Sequence, residues 1–183
     1  MTDFFDNYFE NIKIKLTDLN YDFLKKSADI IEKVNVSNGK VIVVGNGGSA
    51  AIASHVSIDF TKAANIRSIN FNESSLLTCF SNDYGYENWV DKALSFYADK
   101  NDLIILISSS GTSKNIVNGA LRAKKMDLPI ITFSGFSYEN PLRKIGNINF
   151  WVDSNDYNLI ETIHQTWCLS IIDYIIKYKN NRE

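Results

Sequence analysis

Short apolar runs alternate with amphipathic stretches along the chain. Five runs have the length and composition of buried strands, and their sequences are KVIVVG, IRSINF, DLIILISSSG, LPIITFSG and INFWVD. Helical patterns separate them, beginning with a long region over residues 3–35 and closing with a helix over residues 156–179. Apolar strands that alternate with helices are typical of a parallel sheet covered on both faces. The pattern therefore predicts an α/β fold, with a doubly wound parallel sheet flanked by helices and an extra N-terminal helical region.

Length and composition narrow the class of protein. The chain has 183 residues, of which 45% are hydrophobic and 22% charged, and its formal net charge is −2. These values predict one globular domain over residues 1–183, with a helical region at 1–36 and a core at 38–178. Because no basic block occurs, we expect no nucleic-acid partner. Because there is no signal-peptide plan and no apolar run of the ~20 residues that span a bilayer, we expect no membrane partner and a cytoplasmic location.

Two of the predicted strands end in loops of unusual composition. The first runs into GNGGS, which places Gly45, Gly47 and Gly48 within four positions. Glycine lets the backbone turn tightly and brings its N–H groups close to an anion. The second strand ends in SSSGTS, residues 108–113, where hydroxyls and amides crowd the start of the next helix. Either loop alone could serve packing or helix capping, but two of them after buried strands indicate a phosphate site.

Neither loop has the spacing of a nucleotide-binding signature. GNGGSA begins as G-x-G but does not continue to the last glycine of G-x-G-x-x-G, and no G-x-x-x-x-G-K-[ST] occurs. We therefore predict a small phosphorylated metabolite as the ligand, rather than a nucleotide.

Three segments, GNGGSAA, SNDYGYE and ISSSGTSKNI, resemble the sugar-isomerase (SIS) domain family and are most similar to its phosphoheptose isomerases. The resemblance runs over about residues 38–178. It implies a five-stranded parallel sheet and a dimer or tetramer with active sites at subunit interfaces. It also implies a phosphosugar ligand, with the glycine loop at its phosphate and a further set of residues at its phosphate or sugar: Asn46, Gly47, Gly48, Ser49, Asn82, Asp83, Ser108, Ser109, Ser110 and Ser113.

The resemblance also implies a reaction. A ketose and an aldose phosphate interconvert through an enediol, which requires a base, an acid and stabilisation of negative charge, and Zn²⁺ can supply the last of these. His55 matches a family histidine, Asp59 stands at a family glutamate, and Glu161 stands at a family glutamine. His164 matches a second family histidine that is not the usual ligand. The usual ligand or base position holds Leu169, which is a departure from the family pattern.

Two interpretations of these residues follow. In one, a rearranged site uses Asp59 and His164 as acid–base residues and His55, Asp59 and Glu161 as zinc ligands, because both helical pairs have same-face spacing. In the other, His164 packs in the helix, the two carboxylates are polar interface residues, and catalysis is lost. Because Leu169 replaces a family ligand or base, the sequence does not decide between the two interpretations.

The leading hypothesis is a sugar-phosphate isomerase that acts on sedoheptulose 7-phosphate or a related phosphosugar, in the synthesis of nucleotide-activated heptose for lipopolysaccharide or capsule. The alternative is a non-catalytic SIS module that binds a sugar phosphate or a protein partner, as a replication-initiator-associating protein of the family does. The closing helix, with WCLSIIDYIIKY, carries more large apolar residues than one face against a sheet requires. From that surplus we predict a homotetramer or at least a homodimer.

Overall fold

The computed structural model describes residues 2–178, and its centre is a five-stranded sheet. All the strands are parallel, and their order across the sheet is β2-β1-β3-β4-β5. Their bounds are β1 Val41–Gly45, β2 Ser68–Asn70, β3 Leu103–Ser108, β4 Ile130–Ser134 and β5 Ile148–Trp151. The predicted fold class and each of the five predicted strands are confirmed.

Seven α-helices surround the sheet within the described residues. Their bounds are α1 Thr2–Thr17, α2 Tyr21–Val36, α3 Gly48–Lys62, α4 Ser74–Tyr84, α5 Trp89–Tyr97, α6 Lys114–Lys125 and α7 Tyr157–Tyr178. A short 3₁₀ helix at Leu142–Lys144 was not predicted, because three residues are too few to show a period. The single-domain assignment for residues 1–183 stays a prediction, and its ends at residues 1 and 179–183 lie outside the described residues.

Alternate residues of each central strand face two separate apolar layers. Val41 and Val43 of β1 pack with α2, α3 and α7, whereas Ile42 and Val44 pack with α5 and α6. This is the period of two that a strand imposes on its side chains. Because both faces are covered, the central strands are buried throughout and mostly apolar, as expected for a parallel sheet. No helix within residues 2–178 has the length and apolar character that a membrane crossing requires.

The closing helix α7 buries its apolar side chains within the chain itself. Ile163, Trp167 and Ile171 are at most 3% exposed, and α7 packs against α1, α2 and α3. The argument that α7 carries a surplus for another subunit was therefore wrong, because the two N-terminal helices cover the side that the sheet does not. The exposed large apolar residues lie mainly elsewhere, and on α1 they are Phe4, Phe5, Phe9 and Ile14.

The amino edge of the sheet is closed by an ion-pair network. Lys40 Nζ lies 2.6 Å from both Asp99 Oδ2 and Asp102 Oδ2, and the Lys40 backbone N–H donates to Asp102 Oδ1 at 2.9 Å. Burial lowers the pKa of Lys40, but the two carboxylates raise it by more, so the ammonium stays charged. The opposite, carboxyl edge of the sheet carries the two unusual loops.

Candidate active site

The glycine loop and the serine loop leave the sheet side by side. Gly45, the last residue of β1, pairs in register with Ile107 of β3. The helices that follow the two strands then diverge, because α3 packs on one face of the sheet and α6 on the other. A crevice between diverging connections at the carboxyl edge is where open α/β sheets bind ligands. The fold thus places the two sequence-predicted phosphate loops at one site.

The two helices that begin at these loops are not capped by side chains. The N-cap residues are Gly47 for α3 and Ser113 for α6, and neither makes a side-chain capping bond. By contrast, Asn20 caps α2 and Glu73 caps α4. First-turn N–H groups at an uncapped helix carry partial positive charge and can bind an anion. The structure therefore offers two such N-termini at the crevice.

The serine loop is buried at its start, at Ser108 and Ser109, and partly exposed at Ser110 and Ser113. Ser108 and Ser109 are each 5% exposed, and the Ser109 carbonyl accepts from the Gly135 N–H at 2.8 Å. Ser108 Oγ donates to Ser113 Oγ at 3.3 Å, and Ser110 Oγ accepts from Thr112 Oγ1 at 3.0 Å. The hydroxyls of Ser110 and Ser113 are partly exposed at the rim. Ser49, on the first turn of α3, is 3% exposed.

Glu161 of α7 reaches the glycine loop because Gly48 has no side chain. A β-carbon at Gly48 would overlap the Glu161 carboxylate. The same carboxylate accepts from Ser109 Oγ at 3.4 Å, so it bridges the glycine loop and the serine loop. The neighbouring Gly47 has φ of +54°, a backbone conformation that favours glycine.

His55 lies on α3, about two turns after Gly48, and has a partner on each ring nitrogen. Its Nδ1 lies 3.1 Å from Gln165 Nε2, and its Nε2 lies 3.2 Å from Asp59 Oδ2. Since an amide nitrogen only donates, Nδ1 accepts and the Nε2–H donates to Asp59. The His55 side chain is 48% exposed and that of Asp59 is 34% exposed.

A cavity of about 630 Å³ connects these residues to the glycine loop, with walls from α1, α3 and α7. Its lining consists of Tyr8, Gly48, Ala51, Ile52, His55, Asn158, Glu161, Thr162 and Gln165. Gln165 was missed at the sequence level, although it follows Glu161 by four residues and so shares its helix face. Asp59 lies one turn further along α3, outside this lining, and contacts His55.

His164 lies apart from this group. It is fully buried between Phe133 and Trp167, and its Nε2 donates to the Ser134 carbonyl at 3.0 Å. Burial lowers the pKa of His164 to about 4, against the smaller opposing effect of that hydrogen bond. An α-helix turns by about 100° per residue, so Gln165 stays on the Glu161 face while His164 turns to the sheet. The four-residue arrangement that included His164 does not form.

The other predicted residues divide between the two loops and the surface. Asn46 sits in the glycine loop, half-buried, and Tyr86 donates from its hydroxyl to Asn46 Oδ1 at 3.2 Å. Asn82 and Asp83 are exposed at the end of α4, where Asn82 Nδ2 donates to Asp83 Oδ1 at 2.9 Å. Their place in a ligand pocket stays a prediction, whereas Tyr86, which was not predicted, reaches the glycine loop directly.

The predicted zinc site requires at least three His, Cys, Asp or Glu side chains close together. Within residues 2–178, no three side chains of the His, Cys, Asp and Glu types come together as a metal group. His55 and Asp59 are adjacent, but the Glu161 carboxylate is directed to Gly48 and Ser109 instead. The described residues of one chain thus do not form a three-donor site, and zinc stays a prediction.

Comparison with known proteins agrees with this architecture. The family model described as "SIS domain" matches residues 5–135. The chain therefore belongs to the SIS domain family. Among curated relatives, it is 32% identical over 167 residues to the phosphoheptose isomerase of Thermodesulfovibrio yellowstonii, covering 87% of this chain and 83% of that protein. It is 34% identical over 154 residues to the probable phosphoheptose isomerase of Thermoplasma volcanium, covering 80% of this chain and 76% of that protein.

Solved structures share the fold. A phosphoheptose isomerase from Francisella tularensis has a TM-score of 0.86 at 24% identity, covering 96% of this chain and 98% of that one. The NanR protein of Vibrio vulnificus, solved in complex with ManNAc-6P, has a TM-score of 0.74 at 13% identity, covering 97% of this chain and 64% of that one. At these identities the likeness shows a shared fold and nothing more.

Proposed function

We propose that this chain is a sugar-phosphate isomerase that interconverts ketose and aldose forms of sedoheptulose 7-phosphate or a closely related phosphosugar. One observation carries the proposal: two uncapped helix N-termini meet at one crevice, beside a cavity whose wall holds His55 and Glu161. The first feature suits a phosphate and the second suits proton transfer. A relative that is 32% identical bears the name phosphoheptose isomerase and one that is 34% identical bears the name probable phosphoheptose isomerase, which supports the choice of substrate.

The serine loop would bind the phosphate. Ser110 and Ser113 present hydroxyls at the rim, and the first turn of α6 adds backbone N–H groups and a partial positive charge. Hydrogen bonds to a charged group contribute about 1.5–3 kcal/mol each, so a few of them suffice to anchor a sugar phosphate. The sugar would then extend towards the glycine loop and the α3–α7 cavity.

The cavity wall, together with Asp59 beside His55, would supply the acid–base groups. Moving a proton between neighbouring sugar carbons through an enediol requires a base that can also return the proton. Asp59 is the base in this proposal. Its carboxylate accepts from His55 Nε2–H, and Gln165 holds the other ring nitrogen so that the imidazole keeps one orientation. Glu161 lies between the two loops and is the second carboxylate within reach of a bound sugar.

Zinc enters this proposal only as an addition to test. His55 and Asp59 could supply two ligands, and a divalent ion there would stabilise negative charge on the enediol oxygens. The described donor set of one chain stops at that pair, so none of the steps above depends on the ion. Metal analysis of the purified protein, and turnover with and without added Zn²⁺, test the addition.

A homo-oligomer and a cellular role complete the proposal. Phe4, Phe5 and Phe9 of α1 are 66%, 59% and 64% exposed, and a row of such rings favours contact with a second copy of the chain. We propose a homotetramer or homodimer, which light scattering at micromolar concentration tests. In the cytoplasm, an aldoheptose phosphate product would feed the synthesis of nucleotide-activated heptose for lipopolysaccharide or capsule.

A non-catalytic module that binds a sugar phosphate or a protein partner is the second candidate function. Leu169, at the position of a family base or ligand, packs against the apolar core and offers no chemistry. The fold also occurs in the NanR protein, which was solved with ManNAc-6P, so the fold by itself does not separate binding from turnover. Under this candidate the two loops would still hold phosphate, and the α3–α7 cavity would be inert.

One experiment separates the candidates. Purified protein is incubated with sedoheptulose 7-phosphate, aldoheptose phosphate is measured, and binding is followed by calorimetry. We expect turnover and binding for the natural sequence. Ser110→Glu should weaken binding at least 100-fold, by roughly the loss of one or two charge-assisted bonds plus like-charge repulsion. Ser95→Glu, at an exposed serine of α5, is the matched control and should bind normally.

Each outcome points in one direction. Binding without turnover of C6 or C7 ketose phosphates would favour the second candidate. Normal binding by Ser110→Glu would remove the phosphate site from the serine loop, and with it both candidates as far as they involve a sugar phosphate; the module that binds a protein partner would remain.

A further inference from the structure

An amide pair joins the glycine loop to the first turn of α6. Asn46 Nδ2 donates to Asn115 Oδ1 at 3.0 Å, and Asn115 Nδ2 donates back to Asn46 Oδ1 at 2.8 Å. The two residues are 69 positions apart in the chain, so only the pairing of β1 with β3 brings them together. The pair spans the crevice between the two loops and fixes the position of one relative to the other.

Asn115 is buried, and its burial makes the pair obligatory. Only 2% of Asn115 is exposed, and a buried amide without hydrogen-bond partners is costly. Asn115 is the second residue of α6, two positions after the N-cap Ser113, so it is tied closely to the serine loop. Asn46, in contrast, is only half-buried.

The Asn46 side chain has one hydrogen-bonding group without a protein partner among the described residues, and this group is the second N–H of its amide. Its Oδ1 accepts from Asn115 Nδ2 and from the Tyr86 hydroxyl, at 2.8 and 3.2 Å, so both lone pairs are used. One hydrogen of Nδ2 goes to Asn115 Oδ1. Within the described part of the chain, no protein acceptor takes the second Nδ2 hydrogen. Asn46 therefore presents a single, directed N–H donor.

We propose that Asn115 is a positioning residue, assisted by Tyr86, that orients the Asn46 amide so that its remaining N–H donates to an oxygen of the bound sugar. This inference rests on the proposed function, because it needs a phosphosugar between the two loops. Asn115 acts through Asn46 and does not touch the ligand. Tyr86 reaches Asn46 from the segment between α4 and α5, where Gly85 with φ of +84° turns the chain back.

A double-mutant cycle tests this relation. The variants are Asn46→Ala, Asn115→Ala and the two combined, and kcat, KM and the affinity for sedoheptulose 7-phosphate are measured for each. Loss of one oriented neutral hydrogen bond should lower kcat/KM by roughly 3–10-fold in each single variant, with the same division between kcat and KM. The combined variant should lose no more than Asn46→Ala alone, because Asn115 has nothing left to orient. Tyr86→Phe should lose roughly 2–5-fold, since one of the two donors to Oδ1 remains.

A matched control separates positioning from stability. Asn149 on β5 also makes two side-chain hydrogen bonds, accepting from Thr132 Oγ1 at 2.7 Å and donating to the Gly146 carbonyl at 2.8 Å. Asn149→Ala should lower the melting temperature and leave kcat/KM unchanged. Asn115→Ala should lower the melting temperature in both backgrounds, while its effect on kcat/KM disappears in the Asn46→Ala background.

The outcomes distinguish this inference from the proposed function. Additive losses in the combined variant, or a kcat and KM division that differs between the single variants, would overturn the role of Asn115 while leaving the isomerase intact. Absence of both turnover and phosphosugar binding in the natural sequence would overturn the proposed function and this inference together.

Discussion

The chain has two histidines, and their surroundings could hardly differ more. His55 is 48% exposed on the wall of the α3–α7 cavity, with Gln165 on one ring nitrogen and Asp59 on the other. His164 is fully buried against the sheet, hydrogen-bonded to a backbone carbonyl, with a pKa lowered to about 4. The His55 imidazole thus lies between the Asp59 carboxylate and the cavity, whereas the His164 imidazole is a neutral ring packed in the core. Environment, and not residue type, assigns the two roles.

The largest expected effect concerns the exposed histidine's carboxylate. Asp59→Asn keeps the shape and the hydrogen bond from His55 but removes the base. Turnover of sedoheptulose 7-phosphate should fall roughly 10²–10⁴-fold, the usual contribution of a positioned general base. Affinity measured by calorimetry should stay within about threefold, because the phosphate is held by the serine loop. Unchanged turnover would contradict the catalytic role proposed for the surroundings of His55, since His55 would then have no catalytic partner on α3.

The buried histidine should matter for stability instead. His164→Ala removes a ring that packs on Phe133 and Trp167 and should lower the free energy of unfolding by about 3–5 kcal/mol, the range for large buried rings. Denaturant melts measure this loss. For the molecules that remain folded, kcat should be unchanged within about threefold, because the ring does not line the cavity. A fall in kcat comparable to that of Asp59→Asn would return His164 to the catalytic group.

The lowered pKa of His164 predicts a pH dependence of stability. The unfolded chain takes up a proton near pH 6.5, whereas the folded chain resists it until about pH 4. Stability from this residue is therefore complete above pH 6.5 and falls as the pH drops towards 4, by up to about 3 kcal/mol. Denaturant melts between pH 7 and pH 4 measure the slope. In His164→Phe the slope over this window should flatten, and an unchanged slope would assign it to other groups.

The smallest effect should come from the residue that orients His55. Gln165→Ala removes the amide that donates to Nδ1 at 3.1 Å, while Asp59 still accepts from Nε2. Turnover should fall only about 2–10-fold, the worth of one neutral hydrogen bond. Thr166→Ala, one residue further along α7 and exposed, is the control and should be neutral. A loss as large as that of Asp59→Asn would show that Gln165 itself contacts the reacting groups.

Much of the fold could be predicted because local pattern and tertiary environment agree there. The runs in β1 and β3 are short and almost continuously apolar, which is typical of a strand buried on both faces. The loops at residues 45–49 and 108–113 could be predicted for a similar reason, since glycine and serine clusters act through the backbone next to them. The apolar surplus of the closing helix does not support the predicted subunit contact, because α1 and α2, far away in sequence, cover it; the oligomeric state itself stays a prediction.

The parts of the site that sequence missed depend on which way side chains turn in three dimensions. Spacing of three along α7 grouped His164 with Glu161, but the helix presents Gln165 to His55 and His164 to the sheet. Asn115 and Tyr86 are unremarkable in the sequence, and they gain a role only because strand pairing and the turn at Gly85 bring both to Asn46. Periodicity can place a residue on a helix, but it does not predict how that helix is rotated about its axis relative to its neighbours.

The bare α-carbon of Gly48 has a consequence for how this sequence can change during evolution. A β-carbon there would overlap the carboxylate of Glu161, 113 positions later in the chain. The two positions therefore influence each other: alanine at 48 requires a shorter or redirected side chain at 161, and the present position of the Glu161 carboxylate requires glycine at 48. Descendants of this chain should inherit the two as a unit, so that one substitution opens the way for the other.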